Sequence, residues 1–176
     1  ELHGGHQTIS LAALRRAVQL ERQRTFEQDP KYALRLLVDI AIRALSPAVN
    51  DPTTAVQALD QIEDLLRRLG QRHLEIGAVR DSAGDVRVIF PTPTWEDFLS
   101  LAFDEIRFYG ATSLQVMRRL HTALCGLAGT VPLERQKAIR QYIEHLGMNV
   151  KSSILDSEDQ KIAMQQDRQG LGMTRT

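Results

Sequence analysis

Asp-Pro occurs twice, at Asp29-Pro30 and Asp51-Pro52, and each time it opens an apolar stretch with helical spacing. This pairing constrains the fold more than any other feature. The Asp carboxylate accepts from the free N–H groups of a first helical turn, and Pro at the first helical position gives up no donor the helix needs. The first stretch, PKYALRLLVDIAIRAL at 30–45, is apolar on nearly every side, which predicts a helix in the middle of a bundle. Ser46-Pro47 ends it. The second, 52–69, sets Val56, Leu59, Ile62, Leu65, Leu66 and Leu69 on one face, with Asp60, Glu63 and Asp64 on others. Gly70 stands where a C-cap belongs.

The same punctuation divides the rest of the chain. Ser10 is placed to cap a helix over residues 10–24, after a flexible lead-in at 1–9. Residues 74–90 change to short β-compatible runs around DSAGD, which predicts a β-hairpin. Two strands alone are marginal, so the hairpin must pack on the helices or pair with another chain. Thr94 with Asp97 three residues on forms a near capping box. The stripe Phe98, Leu101, Ala102, Ile106 and Tyr109 follows, up to a break at Gly110. Further helices are expected over 112–127 (Leu114, Val116, Met117, Leu120, Leu124, Leu127 inward) and from Pro132 (Ile139, Tyr142, Ile143, Leu146 inward). Gly147 either ends the latter or lies within it. Asp156 with Asp159 marks a short final helix, and 168–176 is an aperiodic, frayed tail. The expected fold is mainly α: one domain over 10–167, a bundle of about six helices with one hairpin.

Composition removes several function classes. Lys+Arg and Asp+Glu both total 22, so no net charge draws the chain to nucleic acid or anionic lipid. Basic residues do cluster toward the N-terminus, where Arg15, Arg16, Arg22 and Arg24 would suit a membrane-surface contact. The basic residues lack the aromatic interleaving of single-strand binders. Cys125 is the one cysteine, which excludes an intrachain disulfide and a cysteine-built zinc site. On a helix of Leu and Ala it reads as core filler rather than nucleophile. His3 and His6 are too few for a metal site, and His73, His121 and His145 are scattered. No P-loop, HExxH, GxGxxG or GxSxG is present. Neither a cofactor nor a metal is expected, and an enzyme is the less favoured class. No apolar run reaches the ~20 residues that span a bilayer. The chain opens on Glu1 rather than Met, as a fragment of a longer protein would.

Two constellations carry whatever chemistry the sequence suggests. Arg35, Asp39 and Arg43 fall four apart on one helical stripe. They read as an ion-pair ladder, or as arginines holding an anion with Asp39 orienting them or acting as acid/base. The loop ALSPAVNDPTTA, 44–55, gathers Ser46, Asn50, Asp51, Thr53 and Thr54. Capping accounts for Asp51 and Pro52. It leaves Asn50 and the threonines only partly explained, so a cation bound by oxygens or an anion at the helix N-terminus stays open beside it.

The segment RTFEQDPKYALRLLVDIAIRALSPAVNDPTTAVQALD, 24–60, resembles the bacterial predicted membrane proteins of domain of unknown function 2254. The resemblance rests on Arg24, Thr25, Gln28, Asp29 and Pro30, then Leu37 to Ala41, then Ala44 to Ala55. It runs on more weakly through the hairpin and PTWEDFLSLAFDEIRFYG. It implies a bacterial inner-membrane parent with N-terminal transmembrane helices that are absent here, and a C-terminal domain facing the cytoplasm. It supplies no activity and no catalytic residues.

The resulting expectation is a non-enzymatic module for self-association or ligand-responsive regulation, with no nucleic-acid partner. Its candidate binding residues are Arg24, Asp29, Asp39, Arg43, Asn50, Asp51, Thr53 and Thr54. The alternative is an enzyme or small-ligand domain that uses Asp39, Arg43 and Asn50 on an anion. Arg24 and Asp29 lie at the opposite end of their helix from the loop, so a site using both groups needs a second copy. A homo-oligomer is therefore expected.

Overall fold

The computed structural model describes Ala12 and residues 29–167. The expected helix over 10–24, the lead-in, Arg24 and the tail lie outside these residues. Six described helices follow one another: α1 (Pro30–Ala44), α2 (Pro52–Leu69), α3 (Trp95–Tyr109), α4 (Leu114–Ala128), α5 (Leu133–Ser153) and α6 (Ser157–Ala163). Between α2 and α3 stands a hairpin of β1 (Ala78–Arg80) and β2 (Val86–Ile89).

Side-chain caps start five of the six helices. Asp29 accepts from Lys31 N at 3.1 Å, and Asp51 accepts from Thr54 N at 3.1 Å. Thr94 and Asp97 close a reciprocal box at 2.8 and 3.1 Å. Ser113 caps α4, and Asp156 caps α6 with bonds to two N–H groups. Pro132 precedes α5 without a side-chain cap, and Gly147 lies inside that helix.

The helix at the centre is α4. It packs on α2, α3, α5 and α6, whereas α1 packs on α2 and α3 alone among the described elements. This corrects the expectation that the apolar helix α1 sits in the middle. Its Leu34, Val38, Ala41 and Ala44 are buried, but Ile40 is 49% exposed. The core is aliphatic, built from Leu59, Ile62 and Leu66 of α2 against Met117, Leu120, Leu124 and Leu127 of α4, with Phe98, Leu99 and Phe103 from α3. Tyr109, expected inward, is 53% exposed and packs edge-on against exposed Phe108, while Ile106 in the same last turn of α3 is fully buried.

The hairpin is antiparallel, pairing Ala78 with Ile89 and Val79 with Val88, with a bulge between Val79 and Arg80. Asp81 organises its turn by accepting from Ala83 N and Asp85 N, and Arg87 holds the same carboxylate at 2.7 Å. Gly84 supplies the φ of +90° that the turn requires. Among the described elements the strands pack only on each other. No helix of the described residues is long and apolar enough to cross a membrane.

Candidate ligand site

The 46–54 loop folds as a joint. Asp51 N–H donates to Ala44 O at 2.8 Å and Asn50 N–H to Ser46 O at 2.8 Å, so the chain turns back on the end of α1. Asn50 takes φ +47°, a left-handed conformation that Asn tolerates better than most residues. Thr54 donates its hydroxyl to Asp51 at 2.5 Å as well as its N–H. Those hydrogen bonds hold the Asp51 carboxyl below its ordinary value. Thr53 is exposed. The unusual residues of the loop therefore have structural work within the turn.

The ladder on α1 is partly formed. Arg35 pairs with Asp39 at 2.6 Å, and its guanidinium also grips Glu105 of α3 at 2.5 and 3.1 Å. Arg35 hydrogen-bonds first to Glu105 and then to Asp39, which drives its already high pKa further up and pulls Glu105 down. Arg43 is exposed. Asp29 and Arg43 stand about 21 Å apart along α1, at 1.5 Å per residue. The residues expected to form a site are thus dispersed: Asp51 and Thr54 in one cap, Asp39 in an ion pair, Asp29 at the far end.

A different cluster lies between α2 and α4. A cleft of about 610 Å³ opens there, lined on α2 by Asp60, Glu63 and Arg67 and on α4 by Arg119, Cys125 and Gly126. Arg119 is only 5% exposed. Its Nε donates to Asp60 at 2.5 Å and its Nη2 to Glu63 at 2.5 Å, while Arg67 donates to the other Glu63 oxygen at 2.5 Å. Burial alone would lower the Arg119 pKa, but the hydrogen bonds to Glu63 and Asp60 outweigh it, so the guanidinium stays charged. Removing either partner of such a buried pair leaves an uncompensated charge. Gly126 makes the arrangement possible: a Cβ there would lie 2.7 Å from Glu63 Oε1.

One donor is left over. Arg119 Nη1 is enclosed and has no hydrogen-bond partner. Buried donors are ordinarily satisfied, and an orphan of this kind costs of order 1–3 kcal/mol or more when charged.

Residues 165–167 form a strap against α4, and Gln166 is its residue in the lining. Asp167 N–H donates to Thr122 Oγ1 at 2.8 Å, and its buried carboxylate faces Arg118 Nε at 3.4 Å. Gln166 lines the cleft and hydrogen-bonds the Cys125 thiol. Cys125 Sγ lies 3.5 Å from His121 Nε2. Burial raises the thiol, which the Gln166 contact only partly offsets, and burial lowers the imidazole against the Gln165 backbone. At neutral pH the pair is a thiol beside a neutral ring, which is unreactive as a nucleophile.

A second cleft, of about 470 Å³, lies at the foot of the hairpin. Arg135 there stacks over Trp95 at 5.7 Å and donates to Gly70 O at 2.8 Å. Capping the α2 C-terminus accounts for Arg135. Of the candidate binding residues that the structure describes, Asp29, Asp39, Arg43, Asn50, Asp51, Thr53 and Thr54, none lines either cleft. The missed residues, Arg119 above all, carried one local signal. Arg118-Arg119 interrupts an otherwise apolar α4 stripe.

Comparison with known proteins agrees with the resemblance at 24–60. The chain is 32% identical over 150 residues to Uncharacterized protein Mb1321c of Mycobacterium bovis and to Uncharacterized protein Rv1290c of Mycobacterium tuberculosis. These matches cover 85% of this chain but 29% of each relative, so the chain spans less than a third of their length. No solved structure matches it. The sequence model of the family described as "Predicted membrane protein (DUF2254)" matches residues 2–125, and the chain belongs to that family.

Proposed function

We propose that this chain is a ligand-responsive regulatory module of a DUF2254 membrane protein, and that its ligand enters the cleft between α2 and α4. The observation that carries this reading is Arg119, a buried charged side chain in the wall of the cleft with one donor group unused. A purely structural ion cluster would gain by satisfying that donor. A binding site keeps it for an incoming acceptor. The cleft joins α2, which leads back through the 45–51 joint to α1, and α4, which packs on four of the other five described helices. A ligand that changes the spacing of α2 and α4 therefore acts on the whole bundle.

Gly129 provides the test. It lines the cleft, a Cβ on it would meet nothing nearer than 3.7 Å, and its φ of −81° suits any residue. Gly129→Leu fills the cleft while removing no hydrogen bond. NMR titration of the full chain with a panel of small polar probes (glucose, myo-inositol, inorganic phosphate, putrescine) should move the Gly126, Gly129 and Gln166 amides. The movement should vanish in Gly129→Leu. If no probe shifts these amides at tens of millimolar, or if the shifts persist in Gly129→Leu, the site is not there. The proposed homo-oligomer is a separate claim. Sedimentation showing only monomer at high concentration removes it.

A further inference from the structure

The charges around the cleft restrict what fits it. Glu63 is saturated by Arg67 and Arg119, and Asp64 pairs with Arg68 at 2.8 Å. Arg119 lies between Asp60 and Glu63. Each carboxylate of the lining, Asp60, Glu63 and Asp64, is thus paired with a guanidinium, from Arg119, Arg67 or Arg68, the last of which stands outside the lining. Such a balanced set repels neither sign and selects neither. A dianion would meet three carboxylates, and a dication the guanidinium groups of Arg67 and Arg119.

Unused hydrogen-bonding capacity remains in both senses. Arg119 Nη1 offers N–H groups with no acceptor, and the amide of Gln166, which spends one group on the Cys125 thiol, lines the same cleft. Asp60 uses one oxygen on Arg119, and its side chain is 48% exposed, which leaves the second oxygen to accept. Donors and acceptors thus face the same space. A hydroxyl group answers both at once, since it donates to a carboxylate while accepting from a guanidinium. Adjacent hydroxyls repeat this along a carbon ring or chain. A ligand oxygen reaches the enclosed Nη1 only by displacing a neighbour, and Arg67, 46% exposed, is the guanidinium on Glu63 that can yield. Gly129 leaves a patch of the lining without a side chain, open to 3.7 Å, against which a C–H face can lie.

We infer that the α2–α4 cleft takes a neutral polyhydroxylated ligand, a monosaccharide or cyclic polyol, held by Asp60, Arg119 and Gln166. This inference rests on the ligand-responsive reading above but is narrower. Its test separates the two. Isothermal titration of the full chain is run with glucose, galactose and myo-inositol, and with inorganic phosphate and putrescine as charged probes. The neutral polyols should bind saturably, and phosphate and putrescine at least tenfold more weakly. Asp60→Ala, at a half-exposed position, should weaken polyol binding about tenfold while circular dichroism stays unchanged, and Gly129→Leu should abolish it. If phosphate or putrescine binds best and Gly129→Leu blocks it, the ligand class is wrong and the cleft reading stands. If polyols bind equally to wild type and Gly129→Leu, both are wrong. If no polyol binds at tens of millimolar, the class is overturned.

Discussion

Asn50 illustrates how one dihedral angle adds a role that composition does not reveal. In the sequence it stands beside Asp51, Thr53 and Thr54 as one more ligand-like oxygen. In the fold it is exposed and turns the chain at φ +47° so that Asp51 N–H reaches Ala44 O. If conformation is its role, Asn50→Gly should leave stability unchanged within a few tenths of a kcal/mol or raise it. Asn50→Val should cost about 1–2 kcal/mol, because a β-branched residue resists the left-handed region. Urea denaturation of both variants checks this. Equal losses in the two would show that the Asn50 side chain, not its backbone, matters. Arg119 is the converse case. Its one local signal is its place beside Arg118 in a largely apolar helix, and its partners Asp60 and Glu63 lie 59 and 56 residues away.

At the scale of elements, the helix boundaries were legible because they are set by short-range chemistry. Asp29, Asp51, Thr94 and Asp156 each bond N–H groups within three residues, and such bonds are visible as spacing. What periodicity could not rank was which helix lies centrally. Apolar character all round favoured α1, yet α4 takes the centre with Arg118 and Arg119 buried in it, since each finds a carboxylate on another element. The candidate site was illegible for the same reason. Its groups come from α2, α4 and the strap, and only folding joins them. Gly126 tests the packing of that cluster. Gly126→Ala sets a methyl group 2.7 Å from Glu63 Oε1 and should destabilise by about 1–3 kcal/mol despite the better helix propensity of Ala. Gly129→Ala, one turn on, meets no such obstacle and should be neutral or slightly stabilising. Thermal unfolding of the two variants side by side makes the comparison.

For the whole molecule, protonation should weaken the fold in two stages. Burial lowers His121 below its ordinary value of 6.5, so the unfolded chain binds that proton first. Stability therefore declines as pH drops below 6.5 and levels off once the folded ring also protonates. Glu105, Asp51, Asp81 and Asp97 are depressed by hydrogen bonds or ion pairs, from ordinary values of 4.5 for the Glu and 3.8 for the Asp residues. Their contribution is complete above those values and is lost as pH falls through the lowered ones. Urea midpoints measured from pH 8 to 3 should show a shallow first decline and a steeper second one. His121→Gln should remove the first and leave the second. A first decline that survives in His121→Gln would assign it to another group.

The joint between α1 and α2 has a mechanical consequence. Three backbone bonds clasp residues 44–51: Asp51 to Ala44, and Val49 and Asn50 to Ser46. With Asp51 also clamped on Thr54, the corner has no slack. The two helices form a bent crank rather than two hinged rods. If a ligand displaces α2 at the cleft, α1 is expected to move with it as one piece.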